Sequence, residues 1–142
     1  MKRALFVVLV ACACGDRPDD SPRLETRAGP FGEYVTDAEG RPVYTFSGDA
    51  PGQTACLTNC ATVWPPVLVH GQPHAASAAI DTTQLGVFTR PDSTRQLSFA
   101  GWPLYYSASA FTARDAYGHY AMSFGGRFTL VSPNGTALPP PK

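Results

Sequence analysis

The sequence predicts a small all-β domain that contains two degenerate repeats, each built on a β-hairpin, with a short helical turn near a cysteine pair. Three observations support this prediction. Short runs of aromatic and β-branched residues alternate with turn residues, which is typical of strands and hairpins. A Gly-x-Pro-aliphatic-Tyr motif occurs at residues 40–44 and again at 101–105. Cys56 and Cys60 lie just before Trp64-Pro65-Pro66, where the prolines would end a helix.

The first repeat opens with a predicted hairpin. Two strand-like runs, residues 31–37 and 41–46, flank a turn that Asp37 begins and Gly40 ends. Aspartate caps the start of such turns, and glycine accepts the positive φ at which they close. Because side chains alternate along a strand, Tyr44 and Phe46 are expected on one face.

The remaining elements follow from the same signals. Residues 47–55 are rich in turn formers, and 56–63 could form one or two helical turns. Residues 70–77 are predicted to be a loop. Further strands are predicted at residues 85–90, 95–99, 102–107, 120–124 and 127–131, and residues 136–142 are predicted to be a C-terminal tail.

The repeated motif is the main sign of internal organisation. Gly40, Pro42 and Tyr44 recur at the same spacing as Gly101, Pro103 and Tyr105. Two such units predict a pseudo-symmetric domain, residues 31–135, in which each unit covers the apolar face of the other. The second copy has changed, because Ser107 stands opposite Phe46 and Ala110 stands opposite Asp49.

The N-terminus has the pattern of an exported lipoprotein. Lys2 and Arg3 precede an apolar stretch at residues 4–11, which is too short to span a bilayer and is typical of a signal peptide at residues 1–11. The residues Leu9-Val10-Ala11-Cys12 resemble the lipobox of bacterial lipoproteins, so Cys12 is predicted to carry the lipid. Position 13 is alanine rather than the aspartate associated with inner-membrane retention. This favours the outer membrane if the cell has two membranes. The alternatives are acylation of Cys14 and an ordinary signal peptide cut nearby.

Residues 12–30 are predicted to be the anchor and a disordered tether. The segment from residue 15 to 30 has three prolines, seven charges and a single large aliphatic residue, Leu24. So little apolar surface would not offset the entropy lost on ordering. A structured arm is the alternative, and it would require Leu24 to dock on the domain.

Several motifs together resemble the secreted repeat of predicted bacterial lipoproteins with a Tyr-x-aromatic-x-x-Asp motif. In the first half they are residues 32–37 and 40–46, Asp49, the cysteine pair, Ala61 and residues 64–66. The second half resembles a second copy in residues 85–90, Gln96, 101–105, Gly118 and 124–126, although Phe128 stands where a tryptophan is more usual. The resemblance implies an exported, lipid-anchored protein without an established biochemical activity. The motif residues that carry it are Tyr44, Phe46, Asp49, Trp64, Pro65, Pro66, Gly101, Pro103 and Tyr105.

Cys56 and Cys60 have three interpretations. Export to an oxidising compartment favours a disulfide, and a helical turn would bring the two Cα atoms close enough for one. The closed loop is short, so the bond would stabilise the fold by only about 2 kcal/mol, which leaves room for a redox role. A zinc or copper site formed with His70 and His74 is the third interpretation.

The remaining residues do not predict an enzyme. The sequence has no Gly-x-Ser-x-Gly elbow, and Asp37 and Asp49 occupy turn positions that capping explains. The aromatic residues are predicted to be core, with Trp102 and Tyr106 the best candidates for exposure; the alternative is a platform for a ligand such as a sugar, quinone or flavin. A net charge of zero argues against nucleic acid as a partner. The sequence therefore favours a non-catalytic binding or structural role without a cofactor, at the membrane through its lipid, whose ligand or protein partner is unassigned.

Overall fold

The computed structural model describes residues 20–109 and 115–142 of the chain. Within these residues the fold is all-β, as predicted, with three small sheets and a short helix beside the cysteine pair. The predicted signal peptide, Cys12, Cys14 and Ala110 lie outside the described residues. The strands are β1 (Arg23–Gly29), β2 (Gly32–Asp37), β3 (Tyr44–Phe46), β4 (His74–Ala75), β5 (Leu85–Thr89), β6 (Arg95–Phe99), β7 (Trp102–Pro103), β8 (Ala121–Ser123) and β9 (Gly126–Leu130).

The first sheet has the order β2-β1-β4 and corrects one prediction. Residues 23–29, assigned to a disordered tether, form strand β1, which pairs antiparallel with β2 from Leu24 to Gly29. Leu24 is fully buried in the core. The docking of this one side chain and the backbone ladder to β2 together order the segment. The predicted loop at residues 70–77 contains the two-residue strand β4, which pairs parallel with β1.

The third sheet, β5-β6-β7, belongs to the second repeat and follows the prediction closely. β5 and β6 form an antiparallel hairpin whose register pairs Leu85 with Phe99 and Thr89 with Arg95. A single 3-10 turn, Thr82–Gln84, precedes β5, and the Asp81 carboxylate accepts a hydrogen bond from the Thr83 amide at its start. β7 is only two residues long and pairs with the end of β6.

The remaining sheet has the order β3-β9-β8 and shows a pairing that the sequence did not reveal. The turn at residues 37–40 forms as predicted, with the Asp37 amide bonded to the Arg41 carbonyl. The hairpin is short, however, because β3 leaves β2 and pairs with β9, with Tyr44 opposite Leu130. The first repeat is thus joined in one sheet to the end of the second.

The equivalent tyrosines of the two repeats bond directly to each other. The Tyr44 amide donates to the Tyr105 carbonyl, and the Tyr105 amide donates to the Tyr44 carbonyl, each at 2.9 Å. Tyr105 also forms a bridge with Pro66, as Tyr44 pairs with Leu130. Each repeat therefore pairs with the terminal segment of the other, and the two repeats interlock about an approximate two-fold axis.

Aromatic rings fill the space between the interlocked repeats. Trp64 and Phe128 precede Pro66 and Leu130 by two residues each, so they occupy equivalent places, and their rings stack with centroids 3.9 Å apart. Tyr44 meets Trp64 edge-on at 5.4 Å, and Tyr105 meets Phe128 edge-on at 5.8 Å. Edge-on ring pairs such as these last two add about 0.5 to 1.5 kcal/mol each beyond the burial of their area.

A second, mainly aliphatic cluster lies beside the aromatic one. It joins buried side chains from both repeats, including Leu24, Val35, Val43, Leu97 and Leu104. The cluster is the shared interior that the sequence predicted for the two units.

The ends of the second repeat are also tied down. The predicted tail begins at residue 136, yet the Leu138 amide donates to the Leu130 carbonyl and Ala137 bridges Val131. Residues 137–138 therefore pack on β9 rather than fray.

No helix in the described part of the chain is long and apolar enough to cross a membrane.

Replacing Tyr44 with alanine should destabilise the domain by about 3 kcal/mol, because the side chain is 1% exposed and its removal leaves a large cavity between the repeats. Urea unfolding followed by circular dichroism measures the change. Tyr117→Ala is the matched control, because that side chain is 86% exposed. Equal stability of the two variants would show that Tyr44 is not a core residue.

Candidate functional site

Asp49, the last residue of the Tyr-x-aromatic-x-x-Asp motif, joins the two repeats. Its Oδ1 accepts a hydrogen bond from the Ala55 amide at 2.7 Å, which is the predicted capping role. Its Oδ2 accepts from the Tyr105 hydroxyl, also at 2.7 Å. The Tyr105 oxygen lies 2.6 Å from the Thr54 hydroxyl as well. The sequence predicted the cap but gave no sign of the bond to Tyr105, since only the fold brings residues so distant in the chain together.

The surroundings of Asp49 leave little room for acid–base chemistry. Burial raises the pKa of the carboxyl group, and the bonds from Ala55 and Tyr105 and the charge of Arg90 oppose that rise. Burial likewise raises the pKa of the Tyr105 hydroxyl above its ordinary value. Both carboxylate oxygens already accept a hydrogen bond from the protein. The arrangement is that of a structural cap.

Arg90 is a buried cation that sequence reasoning missed. Its Nη1 donates to the Gln96 Oε1 at 2.5 Å, and its Nη2 donates to the Cys56 carbonyl at 2.9 Å. Gln96 in turn donates to the Leu104 carbonyl. The network links β6 to the backbone of the cysteine loop. Buried guanidinium groups require such acceptors, because an unpaired buried charge is strongly destabilising.

Asp37 has the capping role that the sequence predicted. Its Oδ1 accepts hydrogen bonds from the amides of Glu39 and Arg41, and its Oδ2 lies 2.6 Å from the Arg41 Nε. The Arg41 guanidinium lies over the Tyr106 ring, 4.2 Å from its centroid. Burial, followed by the charge of Asp37, raises the pKa of Tyr106. Asp37 and Asp49 therefore serve two separate turns.

Cys56 and Cys60 form a disulfide, as predicted. The bond lies at the short helix α1 (Asn59–Val63) and belongs to the aromatic cluster. Cys56 is fully buried and Cys60 is 5% exposed. A thiolate must reach a sulfur atom to exchange with it, so this burial favours the structural interpretation of the pair over the redox one.

The arrangement does not support the metal interpretation. The two sulfur atoms are bonded to each other, so neither is a free thiolate ligand. His70 and His74 both have exposed side chains, in a loop and in β4. Within residues 20–109 and 115–142, no group of three or more His, Cys, Asp or Glu side chains is placed to hold a metal ion.

The motif aromatics are core, as the sequence predicted. Tyr34, Tyr44, Phe46, Trp64 and Tyr105 are each no more than 4% exposed. Trp102 and Tyr106, the predicted candidates for exposure, are both half-buried. Of the other predicted motif residues, Pro65 accepts a hydrogen bond from the Tyr106 amide and Pro66 bridges Tyr105. Pro103 pairs with Ser98, and Gly101 has a φ of 85°.

His119 is a second buried polar group that the sequence did not single out. Its Nδ1 accepts a hydrogen bond from the Leu130 amide at 3.2 Å, which fixes the remaining proton on Nε2. The Nε2–H can then donate to the Pro139 carbonyl at 2.9 Å. Burial lowers the pKa of His119, and the Pro139 carbonyl offsets part of that effect. The neutral ring fastens the C-terminal segment to β9.

These features define an all-β domain of two interlocked repeats whose reactive side chains are used to build its interior. Residues 26–68 match the model of a family described as a secreted repeat of unknown function, so this part of the chain is similar to that repeat. The match confirms the resemblance for the first half; for the second half the resemblance stays a prediction. Neither a curated protein nor a solved structure is significantly similar to the chain. The family indicates an exported protein.

The bond between Asp49 and Tyr105 can be measured with a double-mutant cycle. Asp49→Ala and Tyr105→Phe should each destabilise the domain, because each removes the buried hydrogen bond between the repeats. The double variant should be more stable than the sum of the single effects predicts, by about 1 to 2 kcal/mol. Thr83→Ala combined with Tyr105→Phe is a control pair and should be additive. Additivity at Asp49 and Tyr105 would contradict the bond between them.

His119 should make the domain sensitive to mild acid. The folded state resists protonation of the ring, whereas the unfolded chain takes up a proton near pH 6.5. The stabilising contribution of the neutral ring is therefore complete above that pH and is lost as pH falls through and below it. The free energy of unfolding, measured from pH 8 to pH 5, should fall less steeply in His119→Gln. The control variant His70→Gln should keep the wild-type slope. A wild-type slope in His119→Gln would refute the role assigned to His119.

Proposed function

We propose that this protein is a lipid-anchored, non-catalytic binding or structural protein of the cell envelope, held at the membrane through acylated Cys12. The observation that carries the proposal is that the motif residues are buried between the repeats. Tyr44, Asp49 and Tyr105 and the disulfide are buried and hold the repeats together. The groups best suited to chemistry are thus used to stabilise the fold, which supports a role in which the domain presents a rigid surface.

The family match and the N-terminal sequence support the location. A secreted repeat is exported, and Leu9-Val10-Ala11-Cys12 has the lipobox pattern. Each buried methylene of an acyl chain contributes about 0.8 kcal/mol, so a multiply acylated cysteine holds a small domain at a bilayer. If the cell has two membranes, Ala13 favours the outer one, with the domain on its periplasmic face.

The folded domain includes part of the segment that composition assigned to the tether. The first strand begins at Arg23, and Ser21 is already engaged, since its hydroxyl accepts hydrogen bonds from the His70 and Gly71 amides. The part of the predicted tether from residue 21 onward therefore belongs to the folded domain.

Substitution of Cys12 tests the anchor. Cells supplied with an alkyne analogue of palmitate should label the wild-type protein and the Cys14→Ala variant, and both should remain in the membrane fraction. Cys12→Ala should lose the label, because no thiol remains at the lipobox. Labelling of Cys12→Ala together with loss of label in Cys14→Ala would move the anchor to Cys14. Absence of label in the wild type would refute lipid anchoring.

A further inference from the structure

One cavity of about 460 Å³ lies where the two repeats meet the C-terminal segment. That volume is in the range of sites for small molecules. Its walls come from β3, β7 and β9 and from the loop that follows β9. The lining residues that matter here are Thr45, Trp102, Arg127 and Thr129, together with the edge of Phe46.

The approximate symmetry explains why the space is open. Arg41 and Trp102 hold the same position in the repeated Gly-x-Pro motif, and Tyr106 and Thr45 each follow the repeated tyrosine. In one half, the Arg41 guanidinium covers the Tyr106 ring at 4.2 Å. In the other half a threonine replaces the tyrosine, and Trp102 has neither a ring nor a cation stacked on it within the described residues. The cavity occupies the place of the missing ring.

The charge of the lining limits what can enter. Arg127 is the one charged residue among the described residues that line the cavity. Its guanidinium lies 4.4 Å from the Tyr120 ring centroid and has no carboxylate partner in the part of the chain that the structure describes. The hydroxyls of Thr45 and Thr129, 3.3 Å apart, add hydrogen-bonding capacity. An apolar wall with one cation and no carboxylate favours an anionic ligand over a cationic one.

We propose that this cavity binds a small aromatic carboxylate, whose ring packs on Trp102 in the place that a tyrosine takes in the other half and whose carboxylate pairs with Arg127. Guanidinium and carboxylate match in shape and can form two parallel hydrogen bonds. The inference deepens the non-catalytic binding role proposed above. It does not depend on acylation of Cys12.

Phenylacetate, phenylacetamide and phenethylamine differ at a single group and serve as probes. Titration into the purified full-length protein, followed by the indole N–H resonance of Trp102 and by calorimetry, should show the tightest binding for phenylacetate. Arg127→Gln should weaken phenylacetate at least tenfold and leave phenylacetamide unchanged. Arg95→Gln, at an exposed arginine outside the cavity, is the matched control and should bind as the wild type does.

Thr45→Tyr tests the symmetry argument, because it supplies the ring that the other half has. This variant should lose binding of both phenylacetate and phenylacetamide while its melting temperature stays near that of the wild type. If it fails to fold, Arg127→Gln still decides the question. The proposal is overturned by a Trp102 resonance that does not move at millimolar phenylacetate, by phenethylamine binding as well as phenylacetate, or by Arg127→Gln having no effect. These outcomes leave the Cys12 test of anchoring untouched, so the two proposals fail separately.

Discussion

The structure depends on the mutual pairing of Tyr44 and Tyr105, the equivalent tyrosines of the two repeats. Their amides and carbonyls bond reciprocally, and this brings the Trp64 and Phe128 rings into a stack at 3.9 Å. Because each repeat also pairs with the terminal segment of the other, neither can complete its sheet or cover its aromatic face alone. A free repeat would expose unpaired strand edges, which proteins avoid. The two halves therefore form a single cooperative unit.

This arrangement gives a physical meaning to the Tyr-x-aromatic-x-x-Asp motif of the first repeat. Tyr44 supplies the backbone contact, Phe46 stacks on Phe128, and Asp49 accepts a hydrogen bond from the Tyr105 hydroxyl. The three residues thus reach the same partner repeat by three kinds of interaction. The buried disulfide fixes the loop between Asp49 and Trp64. The motif describes an interface within one chain rather than a set of reacting groups.

Features formed by residues close in sequence were predicted, whereas pairings between residues distant in sequence were not. The turn at Asp37, the β5-β6 hairpin and the disulfide each depend on residues close in sequence, so composition and spacing sufficed. Strand β1 was missed because backbone bonds to β2 order it, and those bonds leave no trace in a charged, proline-rich composition. Arg90 was missed for a related reason. An arginine at the end of a predicted strand looks solvated until the fold supplies Gln96 and the Cys56 carbonyl as acceptors.

The departures from symmetry show where the chain is free to specialise. Positions on the axis, such as Tyr44 and Tyr105, are constrained by each other, since a change in either disturbs both repeats. Positions away from the axis carry no such constraint, and there the halves differ most: Arg41 covers Tyr106 on one side, while Trp102 faces Thr45 across an open cavity on the other. A site can form by loss of one ring without damage to the shared interior. The contact of Arg41 with the Tyr106 ring shows the kind of stacking that a ligand beside Trp102 must supply.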